Sequence, residues 1–344
     1  MEFVIPEDAN PERADTILAS HLPPGLSRSS VAKLIHSGSI LVSGHPIKPS
    51  TILKPGDSVE IICAEPRSSL TQKETELPEF HILFEDPHLL VLDKPPGIVV
   101  HPGAGRPSGT LVDAVVCIRP EIVGVGEPGR WGVVHRLDRD TSGVMVLAKN
   151  LLVYESLCLQ FREHSIQRMY MALVRGNPGQ DRGIVDAPLG RHAKDRKRIS
   201  TSTVKARRAV TRWTVSRRFR IVTLLEVRPE TGRTHQIRVH LASVGLPVLG
   251  DPVYGRIHKQ QRSIDQTLKK YVAIMKRQAL HAATLGFQHP VTGQYVKFCS
   301  PIPSDMAEVI RVAGTFNAES AHPTSLNTCV DAEKKETKKE NIIL

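Results

Sequence analysis

His135-Arg136-Leu137-Asp138-Arg139-Asp140-Thr141-Ser142-Gly143 is a polar segment set between two apolar ones. Gly132-Val133-Val134 precedes it and Val144-Met145-Val146-Leu147-Ala148 follows. The pattern predicts a strand, a polar turn and a second strand. Loops held by rigid strands are where catalytic groups concentrate. Asp138, three residues after a histidine and two after an arginine, is therefore the first candidate for chemistry. The competing reading is an aspartate that stabilises its turn and pairs with Arg136 or Arg139.

Around this segment lie 344 residues, enough for a large domain and a small one. Forty-six Lys and Arg against 35 Asp and Glu give a formal charge of +11. Such an excess points to a polyanionic partner, because Lys and Arg displace counterions from phosphates. The five cysteines, Cys63, Cys117, Cys158, Cys299 and Cys329, contain no Cys-x-x-Cys pair. That argues against a zinc knuckle, and the odd, scattered set fits reduced thiols. Met1 to Asp8 lack the basic start and apolar core of a secretory signal. No stretch approaches the roughly 20 apolar residues needed to cross a bilayer. The expectation is a soluble, cytoplasmic protein without a membrane partner.

Residues 13–63 form a small α/β module in this reading. Ile17, Leu18 and Leu22 mark one helix. Val31, Leu34 and Ile35 mark a second, which starts near Ser27–Ser30 and stops at Gly38. Short strands follow at Ile40-Leu41-Val42 and Val59-Glu60-Ile61, with turns at Ser43-Gly44 and Pro55-Gly56-Asp57. Two helices followed by Gly38 to Gly44 and Lys54 to Asp57 resemble the RNA-binding domain first described in the fourth small-subunit ribosomal protein. The resemblance implies RNA contact in the region of Arg28, Lys33 and Lys48. Residues 64–78 are polar and nonperiodic, a linker. Residues 79–312 carry recurrent strand signals with a few helices, an α+β pattern with no regular βαβ alternation. Residues 313–344 are polar and charged and read as a disordered tail.

Gly124-Val125-Gly126-Glu127-Pro128-Gly129 matches the dinucleotide-binding pattern by letter. Pro128, Gly129 and Gly132 break the helix that the fingerprint requires, so a loop is expected. The stretch Glu226 to Leu241 is more informative. A strand ends near Arg228, Pro229 to Gly232 turn, and Thr234 is placed to cap a helix with Ile237, Leu241 and Val244 on its inner face. Arg233 falls at the loop–helix junction, free to hold a carboxylate by two hydrogen bonds. Arg228 and Arg238 read as exposed. The basic run Arg191 to Arg198 suits phosphates or a solvated loop.

Three ordered motifs resemble the RluA-type pseudouridine synthases. They are His135 to Lys149, then Arg168-Met169-Tyr170-Met171-Ala172-Leu173-Val174-Arg175-Gly176, then Gly232 to His240 with Gly250-Asp251-Pro252-Val253-Tyr254-Gly255. Gln278-Ala279-Leu280-His281-Ala282 and His289-Pro290 continue the match. The resemblance implies a catalytic domain built on a mixed, largely antiparallel sheet. It implies no metal and no cofactor, and an essential carboxylate at Asp138. It gives Arg233 the partnership with that carboxylate, Tyr170 the stacking on the detached base, and Arg136 the space left by a flipped uridine. Arg168 stands where the motif usually has lysine. The N-terminal module and the insertion between Gly255 and Gln278 point to the branch that acts on large-subunit ribosomal RNA; a monomer is the default expectation. A related C-type branch shares the module and the hallmark. Two other readings stay open here: a catalytically silent ribosome-assembly factor, and base hydrolysis with Asp140 as a second carboxylate.

Overall fold

The computed structural model describes residues 2–21, 28–36, 40–61, 77–103, 107–192, 195, 198–203, 206–255 and 266–315. The chain divides into two compact units, residues 1–75 and 76–344.

In the first unit the elements run β1 (Glu2–Val4), β2 (Glu12–Arg13), α1 (Ala14–His21), α2 (Arg28–His36), β3 (Ile40–Val42), β4 (His45–Pro46), β5 (Ile52–Leu53) and β6 (Ser58–Ile61). One sheet has the order β1-β6-β3-β4, and β2 pairs with β5. The strand β1 lies ahead of the module expected at 13–63 and pairs with β6 through Phe3 and Val59. The helical apolar spacing works as the sequence suggests. Ile17, Leu18, Val31 and Ile35 are buried with Ile40, Leu53 and Val59 in one core. Gly44 takes φ +77 at the β3–β4 turn, a conformation that glycine adopts without strain.

The second unit continues with β7 (His81–Glu85), β8 (Leu89–Lys94), α3 (Leu111–Ile118), β9 (Ser142–Ala148), α4 (Leu151–Arg162), β10 (Gln167–Arg175), β11 (Arg182–Asp186), β12 (Gly190–Arg191) and β13 (Ile199–Ser200). Then come β14 (Val210–Arg218), β15 (Val222–Pro229), α5 (Gln236–Ser243), α6 (Gln266–Met275), β16 (Leu280–Gln288), β17 (Tyr295–Cys299) and α7 (Ser304–Thr315). Nine strands form one sheet in the order β11-β14-β15-β10-β16-β9-β8-β7, with β17 branching from β16. Every pair is antiparallel except β9 with β16. The architecture is α+β.

The strand β9 is buried at all seven positions, as its continuous apolar run demands. Its alternate side chains face two cores. Val144, Val146 and Ala148 pack with Val153 and Leu157 of α4. Met145 and Leu147 pack with Leu111 and Val115 of α3. The strand expected before the polar turn is reduced to one bridge, Val133 to Leu147.

The turn at 138–141 enters the sheet where β9 meets β16. There Ser142 pairs with His281 and Gly143 with Ala282. The Ser142 hydroxyl lies 3.0 Å from His281 Nδ1, whose Nε2 reaches the Ser300 carbonyl at 3.1 Å. Gly143 has φ +118, and a Cβ there would collide with the Ala282 backbone. That contact makes glycine obligatory at the junction. The segment 124–129 forms turns with no helix after it, as expected for a loop.

Candidate active site

Lys94, at the end of β8, carries the polar turn from beneath. It is fully buried, and its Nζ donates to the carbonyls of Pro95 (2.8 Å), Ile98 (3.0 Å) and Arg139 (2.9 Å). Burial pushes it down to about 7, against three carbonyls that together call for all three protons of an ammonium. Arg277 holds the turn from the side. Its Nη1 donates to the Asp140 carbonyl at 3.1 Å, and its Nε and Nη2 bind Asp305 of α7 at 2.6 and 2.8 Å. The loop that presents Asp138 is thus fastened at the backbone, leaving the carboxylate free of its neighbours in sequence.

Asp138 finds its partner one hundred residues away. Arg238 Nη1 donates to Asp138 Oδ2 at 2.9 Å. The other edge of the same guanidinium binds Asp251, Nε to Oδ2 at 2.6 Å and Nη2 to Oδ1 at 3.0 Å. Arg238 is 5% exposed. Burial works against its charge, but Asp251 and Asp138 outweigh it and raise its pKa. Asp251 is likewise disfavoured by burial. The Arg238 hydrogen bonds and those from the Val253 and Tyr254 amides still hold its carboxyl below the usual range. A planar guanidinium suits this task because it can serve two carboxylates at once.

The helix α5 and its entry loop form the opposite wall. Gln236 is buried and ties them down. Its Oε1 accepts from Thr231 Oγ1 (2.7 Å) and the Arg233 amide (3.0 Å), and its Nε2 donates to the Val210 carbonyl (2.9 Å). His235, just before α5, takes φ 55, the left-handed region that side chains rarely visit. Its Nε2 lies 3.9 Å from Asp138 Oδ1, and burial lowers its pKa. Tyr170 projects from β10 at a bulge where the register with β16 shifts between Met169 and Tyr170. Bulges next to functional sites re-aim a side chain. Tyr170 is half-buried, and desolvation raises its phenol pKa, so the hydroxyl stays protonated at neutral pH. Arg168 lies 5.8 Å over the Phe161 ring, which stacks at 4.7 Å on His135. Together these groups enclose a cleft of about 480 Å³ lined by Asp138, Tyr170, Arg168, Phe161, Arg233 and Arg238. A second cleft of about 510 Å³ adjoins it across Asp138 and is lined by His101, Arg130, Arg139, Asp140 and Gln278. Arg136 lines both clefts, is exposed, and makes no hydrogen bond or ion pair with the described residues.

A carboxylate bound by a buried arginine, beside a protonated tyrosine in a cleft lined by arginines, is equipped for chemistry on an anionic polymer. Residues 88–243 match the RNA pseudouridylate synthase family, and residues 12–59 match the S4 domain. The ribosomal large subunit pseudouridine synthase D of Xanthomonas campestris is 41% identical, over 93% of this chain and 94% of that protein. The RNA pseudouridine synthase YlyB of Bacillus subtilis is 40% identical, over 90% and 97% respectively. The chain belongs to the RNA pseudouridylate synthase family. The solved structure of human RNA pseudouridylate synthase domain containing 4 overlays with a TM-score of 0.54 at 27% identity. It covers 67% of this chain and 92% of that one. The synthase unit and the S4 domain therefore account for both ends of the sequence reading.

Within this synthase the sequence-derived residues do not all make the contacts expected of them. Asp138, Arg136, Tyr170 and Arg233 all line the first cleft. Arg233, expected beside Asp138, is exposed and sends its Nε to the Arg208 carbonyl at 3.3 Å. Arg238, expected to be exposed, holds the carboxylate instead. The reason is that six successive residues of α5, Gln236 to Leu241, are buried, so this part of the helix has no solvent face for Arg238 to occupy. Asp140 pairs with exposed Arg139 at 2.9 Å and lines the second cleft, away from Tyr170. In the S4 domain Arg28 is exposed and lies 3.5 Å from Asp15. Lys48 is exposed, and the Lys33 side chain lies outside the described residues. Sequence reasoning passed over Lys94, Gln236 and Arg238 as site residues. Among the described residues no three His, Cys, Asp or Glu side chains gather as metal ligands, and no helix is long and apolar enough to cross a membrane.

Proposed function

We propose that this synthase converts uridines of large-subunit ribosomal RNA to pseudouridine, with Asp138 as the essential carboxylate. The observation that carries the reading is the Asp138–Arg238–Asp251 arrangement at the cleft faced by Tyr170. Support for the substrate comes from the large-subunit enzymes that share about two fifths of its residues along most of its length. In this reaction uracil leaves the ribose, rotates, and rejoins it through carbon. Asp138 either adds covalently to sugar or base, or removes a sugar proton to give a glycal. Both routes need the carboxylate held in place, and the Arg238 guanidinium holds it by a hydrogen bond at 2.9 Å.

Tyr170 offers the detached base a ring to stack on, and its protonated hydroxyl can donate to a base carbonyl. Arg136, unpaired among the described residues and lining both clefts, fills the space that the flipped nucleotide leaves. Its plane substitutes for a base, and phosphate contacts offset the few kcal/mol that unstacking costs. Arg233 at the exposed rim of the cleft meets phosphate, and the S4 domain adds RNA contact around Arg28, Lys33 and Lys48. The working form is a cytoplasmic monomer without metal or cofactor.

Pseudouridine mapping in ribosomal RNA from a deletion strain tests this reading. Specific large-subunit pseudouridines should vanish and return with the wild-type gene, but not with Asp138→Asn. An unchanged map would overturn it, and release of free uracil from the RNA would favour hydrolysis.

A further inference from the structure

The hydrogen-bond inventory around His235 fixes something that its distance to Asp138 alone does not. Tyr254 Oη accepts from the Ile199 amide at 2.9 Å. The same oxygen lies 2.9 Å from His235 Nδ1. A tyrosine hydroxyl has one proton to give, and among the described residues no other acceptor lies near this one. We assign that proton to Nδ1, taken as the bare nitrogen of a neutral ring, because this gives both the hydroxyl and the ring nitrogen a partner among the described residues. The ring proton sits on Nε2, which faces Asp138 Oδ1. Burial keeps the imidazole neutral, and the charged groups that bear on it are Asp138, Arg238, Asp251 and Arg136. The guanidinium groups of Arg238 (5.2 Å) and Arg198 (5.8 Å) both lie over the Tyr254 ring. His235 accepts a left-handed backbone at φ 55 to reach this position, and strain of that kind persists where the surroundings impose it.

At 3.9 Å, Nε2 and Oδ1 are too far apart to bond each other. Both lie within reach of one oxygen placed between them at about 2.8 Å from each. That oxygen must accept from the Nε2–H and donate to the carboxylate. A uracil carbonyl only accepts, and a uracil N–H only donates. A hydroxyl does both, and within an RNA strand the 2′-hydroxyl is the group that qualifies.

We propose that His235 and Asp138 together grip the ribose 2′-hydroxyl of the target uridine, with Tyr254 as the positioning residue that sets the His235 tautomer. The inference rests on the proposed function. It adds that the site selects RNA over DNA at the reacting nucleotide, and that the grip orients the sugar whose bond to the base is broken.

The test uses the full chain and a synthetic stem-loop from large-subunit RNA with loop uridines either all ribose or all 2′-deoxy. Binding affinity is measured for wild type, His235→Asn, His235→Gln and Tyr254→Phe. Asparagine tolerates the left-handed backbone but ends short of the Nε2 position, whereas the glutamine amide nitrogen reaches it. Wild type should favour the ribose loop about fivefold, the value of one net hydrogen bond. His235→Asn should lower the ratio toward one, keeping only what the Asp138 contact supplies, and His235→Gln should restore it to within about twofold of wild type. Tyr254→Phe, which frees the tautomer, should leave an intermediate ratio. A wild-type ratio of one, or a ratio undiminished in His235→Asn, overturns the grip. An undiminished ratio in Tyr254→Phe overturns the positioning role. Pseudouridine formation on the ribose stem-loop is scored in parallel. If wild type shows the ribose preference but forms no pseudouridine, the proposed function fails while the grip stands.

Discussion

At the scale of single residues, the account turns on which arginine serves Asp138. Arg238 binds two carboxylates and is buried, so Arg238→Met leaves both without a counter-charge. Breaking one partner of a buried ion pair costs about 3–5 kcal/mol. The expected outcome is a marked fall in melting temperature and at least a hundredfold loss of turnover, a loss on the scale of about 3 kcal/mol in transition-state stabilisation. Arg238→Lys keeps the charge but not the two-edged geometry, so it should rescue stability more than activity. Arg233→Ala removes an exposed side chain that bonds one carbonyl. Its kcat should stay within a few-fold of wild type and its KM should rise. Thermal melts and steady-state kinetics on the same RNA decide between the two arginines, and equal losses in both variants would contradict the arrangement described here. Arg238 was not legible in the sequence because the helical spacing put Ile237, Leu241 and Val244 inward and left it outside. In the structure Val244 is exposed at the helix end while Arg238 lies inside. The signal that could have found it is Asp251 in the turn after α5, but thirteen residues separate the pair and no local rule connects them.

At the scale of elements, the turn that carries Asp138 depends on the end of β8 and the start of β9. Lys94→Met removes the ammonium that three carbonyls share. Each unsatisfied group costs about 1–3 kcal/mol, less where the chain relaxes toward water. The variant should melt several degrees lower and lose turnover out of proportion to its RNA affinity, since RNA meets other surfaces. A filter-binding curve alongside kcat checks this, and a parallel loss of both would contradict it. The strands themselves were readable. β9 is an unbroken apolar run and β10 carries Tyr170 within a strand pattern. Lys94 was not, because a lysine is ordinarily exposed and nothing nearby in sequence announces three carbonyls converging on it. The start of α5 was misread for a similar reason. Thr234 is the better cap by propensity, but the Gln236 side chain binds Thr231 and the Arg233 amide and draws the loop into a shape that makes His235 the cap. Tertiary hydrogen bonds outweighed a preference worth about 1 kcal/mol.

At the scale of the whole molecule, ion pairs tie distant elements of the synthase unit. Glu85 on β7 binds Arg119 at 2.6 Å and Lys149 at 2.8 Å. The Arg119 hydrogen bonds, followed by that from Lys149, hold its carboxyl at about 2. Because the folded value lies below the ordinary one, this stabilisation is complete above pH about 4.5 and disappears as pH falls toward about 2. With 21% of the side chain exposed, screening reduces it to about 1–2 kcal/mol. Glu85→Gln should be less stable than wild type at neutral pH and should lose less on acidification, which urea melts at pH 7 and pH 3 compare directly. The split into two units falls at residue 75, within the polar, nonperiodic stretch 64–78 that the sequence reads as a linker. The parallel pairing of β9 with β16 was not legible, since strand neighbours far apart in sequence leave no local trace. The claim on which everything else depends is that Asp138 performs the isomerisation. The direct measurement is tritium release from [5-³H]uridine-labelled large-subunit RNA by wild type and by Asp138→Asn, with RNA binding recorded for both. The account predicts release by wild type and none by Asp138→Asn at comparable affinity, whereas release at the wild-type rate by the variant would contradict it.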